Sequence, residues 1–345
     1  MRRIVPALAR SALPLLTRLD PELAHGLGLK ALHWAGPFWP RLKTPESLSV
    51  GCLGLKFSHP VGLAAGFDKN GDCLDGLGAL GFSHVELGTV TPRPQPGNPK
   101  PRMFRFRHDC ALINRMGFNN KGVDHLAAQM ARSGYSGIRG VSIGKNFDTP
   151  LERAQDDYLD CLRKVYALAD YVAINVSSPN TARLRELQGR EGLQRIVSPL
   201  LEERALLTQR TGKRVPLLIK IAPDLDDDAL RALADDARTL QIDGIIATNT
   251  SIDHGLLSTP PASPVQGGLS GAPIHARSRQ VIARLRAELG PSFPIIGVGG
   301  IVSADHALAT LQAGATLLQV YTGFAYRGAA LIEEIAAALS RRIRT

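Results

Sequence analysis

Eight short apolar runs rich in β-branched residues recur from about residue 50 onward, at 61–65, 85–87, 140–143, 171–174, 215–221, 244–247, 295–298 and 317–320. Segments with helical patterning, such as 154–169, 229–239, 276–289 and 304–313, separate most of them. Strands that alternate with helices run parallel, because each crossover returns the chain to the same end of the sheet. Eight such units close into a barrel more readily than they extend an open sheet. The predicted class is α/β: a (β/α)8 TIM barrel over 47–345, with an N-terminal helical hairpin extension over 1–46.

The polar residues fall at the strand ends. Gly66-Phe67-Asp68-Lys69 follows the first run, and the second leads to Gly88-Thr89. Lys145-Asn146 follows the third, Asn175 to Thr181 the fourth, and Lys220 sits near the end of the fifth. Thr248-Asn249-Thr250, Gly299-Gly300 and Tyr321-Thr322-Gly323 follow the sixth, seventh and eighth. In a barrel these points share one rim, the catalytic face. Any single one could be structural; eight on one rim point to a site.

The loop Asn175-Val176-Ser177-Ser178-Pro179-Asn180-Thr181 presents two carboxamides and three hydroxyls within seven residues. A carboxamide offers both donor and acceptor, so Asn175 and Asn180 suit a flat, imide-like or carboxylate-bearing ligand. The same residue types also make ordinary capped turns. The glycine loops 297–301 and 321–323 lie where such barrels hold phosphoryl groups, and Gly267 to Gly271 could close that site from a third side. Neither GxGxxG after a strand nor a Walker A sequence occurs, so no Rossmann site or P-loop is indicated. The insertion from Pro92 to Asn120, with five prolines in its first ten residues, is long enough to be a lid or binding element.

Composition (44% hydrophobic, 21% charged) is that of an ordinary soluble globular protein, with no run apolar enough to span a membrane. Cysteines at 52, 73, 110 and 161 are too far apart for redox or zinc pairs and suit a reducing compartment. The net charge of +10 admits nucleic acid, a membrane surface or an anionic ligand without choosing among them. Residues 1–46 carry seven Lys or Arg against three acids. Ile4, Val5, Leu8, Ala12, Leu15, Leu16 and Leu19 share one helical face, with Arg3 and Arg10 opposite, as in an interfacial helix interrupted by Pro14. Asp20-Pro21-Glu22 reads as the start of a second helix running to about Ala35, with Trp34, Phe38 and Trp39 near its far end. A signal peptide fits poorly, because Arg10, Pro14 and Arg18 break the apolar region. A core-packed helix pair is the other reading.

Ala64 to Gly71, Gly97-Asn98-Pro99 through Arg105, Asn114 to Phe118, Asn175 to Thr181 and Ile219 to Pro223 together resemble dihydroorotate dehydrogenase. So do Thr248-Asn249-Thr250, Gly267 to Gly271 and Gly297 to Ile301, and the likeness covers essentially the whole chain in order. The N-terminal extension, with Leu19 to His25, and serine at 178 resemble the membrane-associated, quinone-using class 2. The soluble classes use cysteine as base and lack the hairpin.

The resemblance implies oxidation of dihydroorotate to orotate, the fourth step of pyrimidine synthesis, with FMN accepting the C6 hydride. Ser178 would remove the C5 proton, and Thr181 with a water could relay it. Lys69, Asn114, Arg115, Met116, Gly117, Phe118, Asn175, Asn180, Asn249 and Thr250 would hold the substrate. Ala65, Gly66, Phe67, Asp68, Lys69, Thr89, Asn146, Asn175, Lys220, Thr248, Gly271, Gly300, Tyr321 and Thr322 would contact the flavin. Lys220 would stabilise the anionic reduced ring. His25, Arg105 and Tyr321 would line the route of a membrane quinone, with Arg105 anchoring its carbonyl. The resemblance further implies a monomer without metal or nucleic acid, peripheral on the cytoplasmic side of the bacterial cell inner membrane. Two alternatives stay open: a soluble FMN barrel such as a tRNA-dihydrouridine synthase, which would need a cysteine acid, and a non-enzymatic membrane-surface barrel.

Overall fold

The computed structural model of the 345-residue chain describes residues 16–36, 45–181, 183–261 and 265–344. The expected helix over the first nineteen residues, with Pro14, and the aromatic pair Phe38 and Trp39 lie wholly or mostly outside them. An antiparallel hairpin of β1 (Val50–Cys52) and β2 (Leu55–Phe57) precedes the barrel. The barrel strands are β3 (Val61–Leu63), β4 (His84–Val90), β7 (Ile138–Ile143), β8 (Tyr171–Asn175), β9 (Leu217–Ile221), β10 (Gly244–Ala247), β12 (Ile295–Val298) and β13 (Leu317–Val320). They close in the order β3-β4-β7-β8-β9-β10-β12-β13 and back to β3, with parallel pairing all round. The TIM barrel expected from the sequence is therefore present.

Helices cover the outside: α2 (Leu74–Ala79), α3 (Val123–Arg132), α4 (Ala154–Val165), α5 (Arg190–Thr211), α6 (Asp227–Thr239), α7 (His275–Leu289), α8 (Ala304–Gln312), α9 (Thr322–Arg327) and α10 (Ala329–Arg344). Strand alternation decides what faces them. Ile174, Ile219, Ile245 and Leu318 pack outward against the helices, while Ala173, Leu218, Ile246 and Leu317 fill the interior. Phe57 of the hairpin plugs the barrel floor and meets the ring of His84 edge-on at 5.2 Å. His84 is fully buried, burial pushes it down to about 3, and so it stays neutral. Gly62 makes room for it, since a Cβ there would stand 2.2 Å from Nε2.

Strand limits differ from the expected ones in instructive ways. β4 continues to Val90, so Thr89 belongs to the strand, and Asn175 is the last residue of β8. β9 begins at Leu217, because Pro216 has no N–H to give the ladder. The insertion at 92–120, expected to be a lid or binding element, is built on regular structure. It contains the hairpin of β5 (Met103–Phe106) and β6 (Ala111–Asn114), which pairs with β11 (Gly268–Gly271) into a three-stranded antiparallel sheet on the rim.

Helix α1 (Pro21–Ala35) starts where Asp20-Pro21-Glu22 predicts, with the Asp20 carboxylate accepting from the Glu22 and Leu23 N–H groups at 3.0 and 2.9 Å. It lies so close on α2 that a Cβ at Gly76 would stand 2.2 Å from the Leu32 carbonyl oxygen. Glu22 anchors it further through ion pairs with Arg102 (2.8 Å) and Lys100 (3.3 Å). Leu23, Leu27 and Trp34, all exposed, occupy one face of this helix.

Candidate functional site

A cavity opens at the C-terminal rim of the barrel, where barrels of this kind hold small-molecule ligands. Almost every strand end that looked reactive in sequence contributes to its wall. Ala65, Gly66 and Lys69 come from beyond β3, Thr89 from β4, Asn175, Ser178 and Asn180 from β8 and its loop, and Lys220 from β9. Thr248, Asn249 and Thr250 follow β10, Gly300 follows β12, and Tyr321 and Thr322 follow β13. The rim sheet adds Asn114 from the end of β6 and Gly271 from the end of β11, and Met116, Gly117 and Phe118 close the side.

The carboxamides are held by one another and by hydroxyls. Asn175 Nδ2 donates to Thr89 Oγ1 at 2.8 Å, and Thr89 Oγ1 lies 2.9 Å from Ser142 Oγ. The Ser177 hydroxyl donates to Asn175 Oδ1 at 3.1 Å and accepts from Asn249 Nδ2 at 2.9 Å. Asn180 Nδ2 donates to Asn114 Oδ1 at 3.3 Å, joining the loop after β8 to the rim sheet. Each amide is thus locked in orientation while one edge still faces the cavity, which suits a planar ligand with alternating donors and acceptors.

Lys69 sits half-buried in the wall with Nζ donating to the Gly66 carbonyl at 2.9 Å. Burial, helped by the nearby Arg102 charge, pushes its ammonium down to about 8. Burial alone raises the Tyr321 phenol to about 12, so it remains a neutral wall. Lys220, buried beneath the cavity, pairs with Glu86 at 3.3 Å. Two buried side-chain oxygens of the wall, Thr250 Oγ1 and Gln319 Oε1, have no protein partner. A ligand with polar edges would satisfy them.

Some expected contacts stand outside the wall. Asn146 is buried one layer out, its amide donating to Thr91 Oγ1, the Arg93 carbonyl and Gln95 Oε1, so it braces the loop after β4. The Arg115 guanidinium turns away and donates to the Pro101 carbonyl at 2.9 Å. Asp68 accepts from the backbone N–H groups of Asn70, Asp72 and Cys73 and shapes the Gly66 loop from behind. Phe67 also lies behind it, edge-on to Tyr321 at 5.8 Å and to His25 at 4.8 Å. His25 on α1 therefore reaches the cavity only through Phe67 and Tyr321. Arg105 Nη1 donates to the Thr17 and Leu19 carbonyls at 2.5 and 3.0 Å, tying down the stretch that leads into α1. Thr181 is likewise absent from the cavity wall.

The glycine loops carry a second message. Gly299 and Gly300 have φ of +126° and +72°, and a Cβ on Gly300 would stand 2.6 Å from the His275 backbone. Chain packing alone requires glycine there, whatever the loop also binds.

Three groups escaped sequence reasoning. Ser177, not singled out among the loop's three hydroxyls, is the fully buried link between Asn175 and Asn249. Arg185 donates to the Ser177 carbonyl (3.0 Å), the Thr250 carbonyl (2.8 Å) and Asp224 (2.7 Å), clamping two site loops together. Glu86 and Gln319 lie inside runs read as apolar; a charged residue within a fully buried strand was the available signal.

A family model described as dihydroorotate dehydrogenase matches residues 47–343. Among similar curated proteins, a dihydroorotate dehydrogenase (quinone) of Aromatoleum aromaticum is 53% identical over 94% of this chain and 92% of its own length. One from Flavobacterium lutescens is 53% identical over 95% of each chain, and one from Pseudomonas aeruginosa is 52% identical over 95% and 98%. Two crystal structures of DHODH from Eimeria tenella superpose closely. The complex with ferulenol gives a TM-score of 0.86 at 37% identity, covering 94% of this chain and 92% of that one. The ligand-free form gives 0.84 at 38% identity, covering 94% and 95%.

Proposed function

The chain belongs to the dihydroorotate dehydrogenase family, and from that premise we propose that it oxidises (S)-dihydroorotate to orotate and passes the electrons to a quinone, the fourth step of de novo pyrimidine synthesis. The observation that carries this reading is the near end-to-end match, at about half identity, to enzymes named for the quinone reaction. The tRNA-reducing alternative is not favoured. It needs a cysteine acid at the substrate, and none of the four cysteines lines the cavity.

Ser178 is the base that takes the C5 proton. Asn114, Asn175, Asn180 and Asn249 orient the pyrimidine amide edges, with Thr250 beside them, and Lys69 holds the carboxylate. The locked amides support this assignment, because a preset hydrogen-bonding frame holds the C5–H bond toward the serine with little loss of order on binding.

The family is flavin-dependent, and FMN is the form proposed here; bound in the cavity it supplies the two-electron acceptor. The wall fits such a group. Buried Lys220 and the orphan Gln319 oxygen offer a cation and an acceptor to polar ring edges. The loops at Gly271, Gly300 and Thr322 would take a single phosphate, and Thr89, Thr248 and Tyr321 would flank the ring.

Helix α1 supports placement at a membrane surface. Its exposed Leu23, Leu27 and Trp34 form one apolar face beside Lys30, a layout for lying in the interface. Among the described residues no helix is long and apolar enough to cross a membrane. We place the protein as a monomer on the cytoplasmic face of the inner membrane, with 1–46 as the membrane and quinone-access segment and 47–345 as the catalytic barrel.

Anaerobic addition of dihydroorotate to the purified protein tests this reading. The visible flavin absorption should bleach, and a short-chain quinone should restore it. A colourless protein, or a flavin that dihydroorotate does not bleach, would overturn it.

A further inference from the structure

Below the cavity floor, four strands of the barrel bring four polar side chains to one point: Glu86 on β4, Tyr171 on β8, Lys220 on β9 and Gln319 on β13. All four are buried. The Tyr171 hydroxyl donates to Glu86 Oε2 at 3.0 Å, Gln319 Nε2 donates to the same oxygen at 2.8 Å, and Lys220 Nζ donates to Oε1 at 3.3 Å. Gln319 Nε2 also donates to the Tyr171 oxygen at 3.1 Å, which fixes the direction of the tyrosine's own proton.

Three donors converging on one carboxyl group leave it only the role of acceptor, so Glu86 is the anion and Lys220 the cation of a buried pair. Tyr171 keeps its proton, since burial and then the Glu86 charge both hold its phenol well above the usual range. The pair is placed asymmetrically: Lys220 and Gln319 line the cavity, whereas Glu86 and Tyr171 do not. A ligand on the cavity floor therefore meets a cation whose counter-charge lies directly behind it.

Resting on the reading that the cavity holds a flavin, we propose that Glu86 is a positioning residue that sets the reduction potential of that flavin. It pins the Lys220 ammonium at the floor and offsets part of its field. An uncompensated cation in a low-dielectric floor would favour the electron-rich reduced ring strongly. The substrate half of the cycle would gain, but the electrons would then be harder to hand on. An enzyme that must reduce a quinone needs the cation tempered, and Glu86 tempers it. Tyr171 and Gln319 share the carboxylate's charge and so adjust how much of it Lys220 receives.

The test is a redox titration of the purified holoenzyme beside two near-isosteric variants. Glu86→Gln removes the negative charge and keeps the shape. It should shift the oxidised–reduced equilibrium at least tenfold toward reduced flavin, about 30 mV for a two-electron couple. In rapid-mixing experiments quinone should then reoxidise the flavin more slowly, while dihydroorotate reduces it no more slowly than before. Tyr171→Phe keeps the charge and removes one donor, so it should shift the equilibrium the other way, by a smaller factor. If Glu86 merely fills the barrel, its variants would lose stability or flavin content, and the flavin that stayed would keep its wild-type potential. Unchanged potentials overturn the inference; should Glu86→Gln fail to fold, an unchanged or raised potential in Tyr171→Phe overturns it alone. A wild-type protein without flavin would instead overturn the functional reading on which the inference rests.

Discussion

The Ser178 hydroxyl oxygen lies 3.2 Å from the Asn180 backbone nitrogen and accepts its hydrogen bond. That contact uses one lone pair and fixes where the side chain stands. Among the described residues lining the cavity there is no carboxylate or imidazole to take a proton from the serine. A serine base without such a partner depends on water to carry the proton away. Ser178→Ala should therefore slow flavin reduction by dihydroorotate by about two to four orders of magnitude, the usual span of a general base. Flavin content and substrate affinity should stay near normal, because the asparagine and lysine contacts remain. Ser178→Cys should recover part of the rate at lower pH, since a thiolate forms more easily than an alkoxide. Single-turnover stopped-flow absorbance measures both, and a near-normal rate in Ser178→Ala removes the serine from this role.

Lys69 gives a pH signature. Its ammonium titrates at about 8 in the fold against 10.5 when free, so the folded chain binds this proton more weakly than the unfolded one. The cost of burying the charge is fully present below pH 8 and is relieved as pH rises toward 10.5. Substrate binding moves in the opposite sense, because only the cation attracts the carboxylate. KM for dihydroorotate should rise as pH passes about 8, by up to tenfold per unit, with kcat little changed. Lys69→Met should show a high KM that no longer varies across that range. A wild-type KM that is flat from pH 7 to 9.5 would contradict the assignment.

Arg185 controls geometry at a distance. Its planar fork reaches the Ser177 carbonyl, the Thr250 carbonyl and Asp224, while Asp224 also accepts from the Ser251 hydroxyl and the Ile252 N–H. Lysine carries the same charge but has one nitrogen in place of the three that reach these acceptors separately. Arg185→Lys should cost about tenfold to a hundredfold in kcat/KM, the scale of small misplacements of reacting groups. The flavin spectrum should be unaffected, because the guanidinium is not part of the cavity wall. Steady-state kinetics on flavin-normalised enzyme decides it.

The contrast between what the sequence revealed and what it hid has a physical cause. The barrel and its rim were legible because buried parallel strands leave continuous apolar runs, and the reactive residues begin where those runs stop. Lys69, Asn175, Ser178, Lys220 and Thr248 could be read that way, and all reach one cavity. The rim sheet was not legible. Met103–Phe106, three apolar residues around a single arginine, is too short to distinguish from a loop, and its partners at 111–114 and 268–271 are not marked as its neighbours by anything in the sequence. Ser177 was overshadowed by its neighbour, since sequence alone cannot say which of two adjacent hydroxyls points inward. Glu86 and Gln319 were hidden because each is a single polar residue within an apolar run, and only strand parity in the closed barrel turns them toward a common partner.

The first 46 residues supply the final prediction. Arg105, expected to anchor a quinone carbonyl, donates to the Thr17 and Leu19 carbonyls, so any quinone reaching it must share or displace those contacts. Behind it an aromatic series runs from His25 through Phe67 to Tyr321 at the cavity wall, with ring centroids 4.8 and 5.8 Å apart. Burial, reinforced by the Lys69 charge, pushes His25 down to about 4, so this ring series stays uncharged at neutral pH. An uncharged aromatic series packed between the cavity wall and an exposed apolar helix is where a lipid-soluble oxidant is expected to approach. A chain starting at Leu48 keeps the barrel core and every residue of the cavity wall but loses α1 and the Glu22 partner of Arg102. It should still bind flavin, and dihydroorotate should reduce that flavin in one anaerobic turnover at close to the full-length rate. Turnover with quinone and flotation with anionic liposomes should fall together by tenfold or more. Full quinone turnover in the shortened chain would separate the helix from the oxidant's route and leave it only its packing on Gly76 and Arg102.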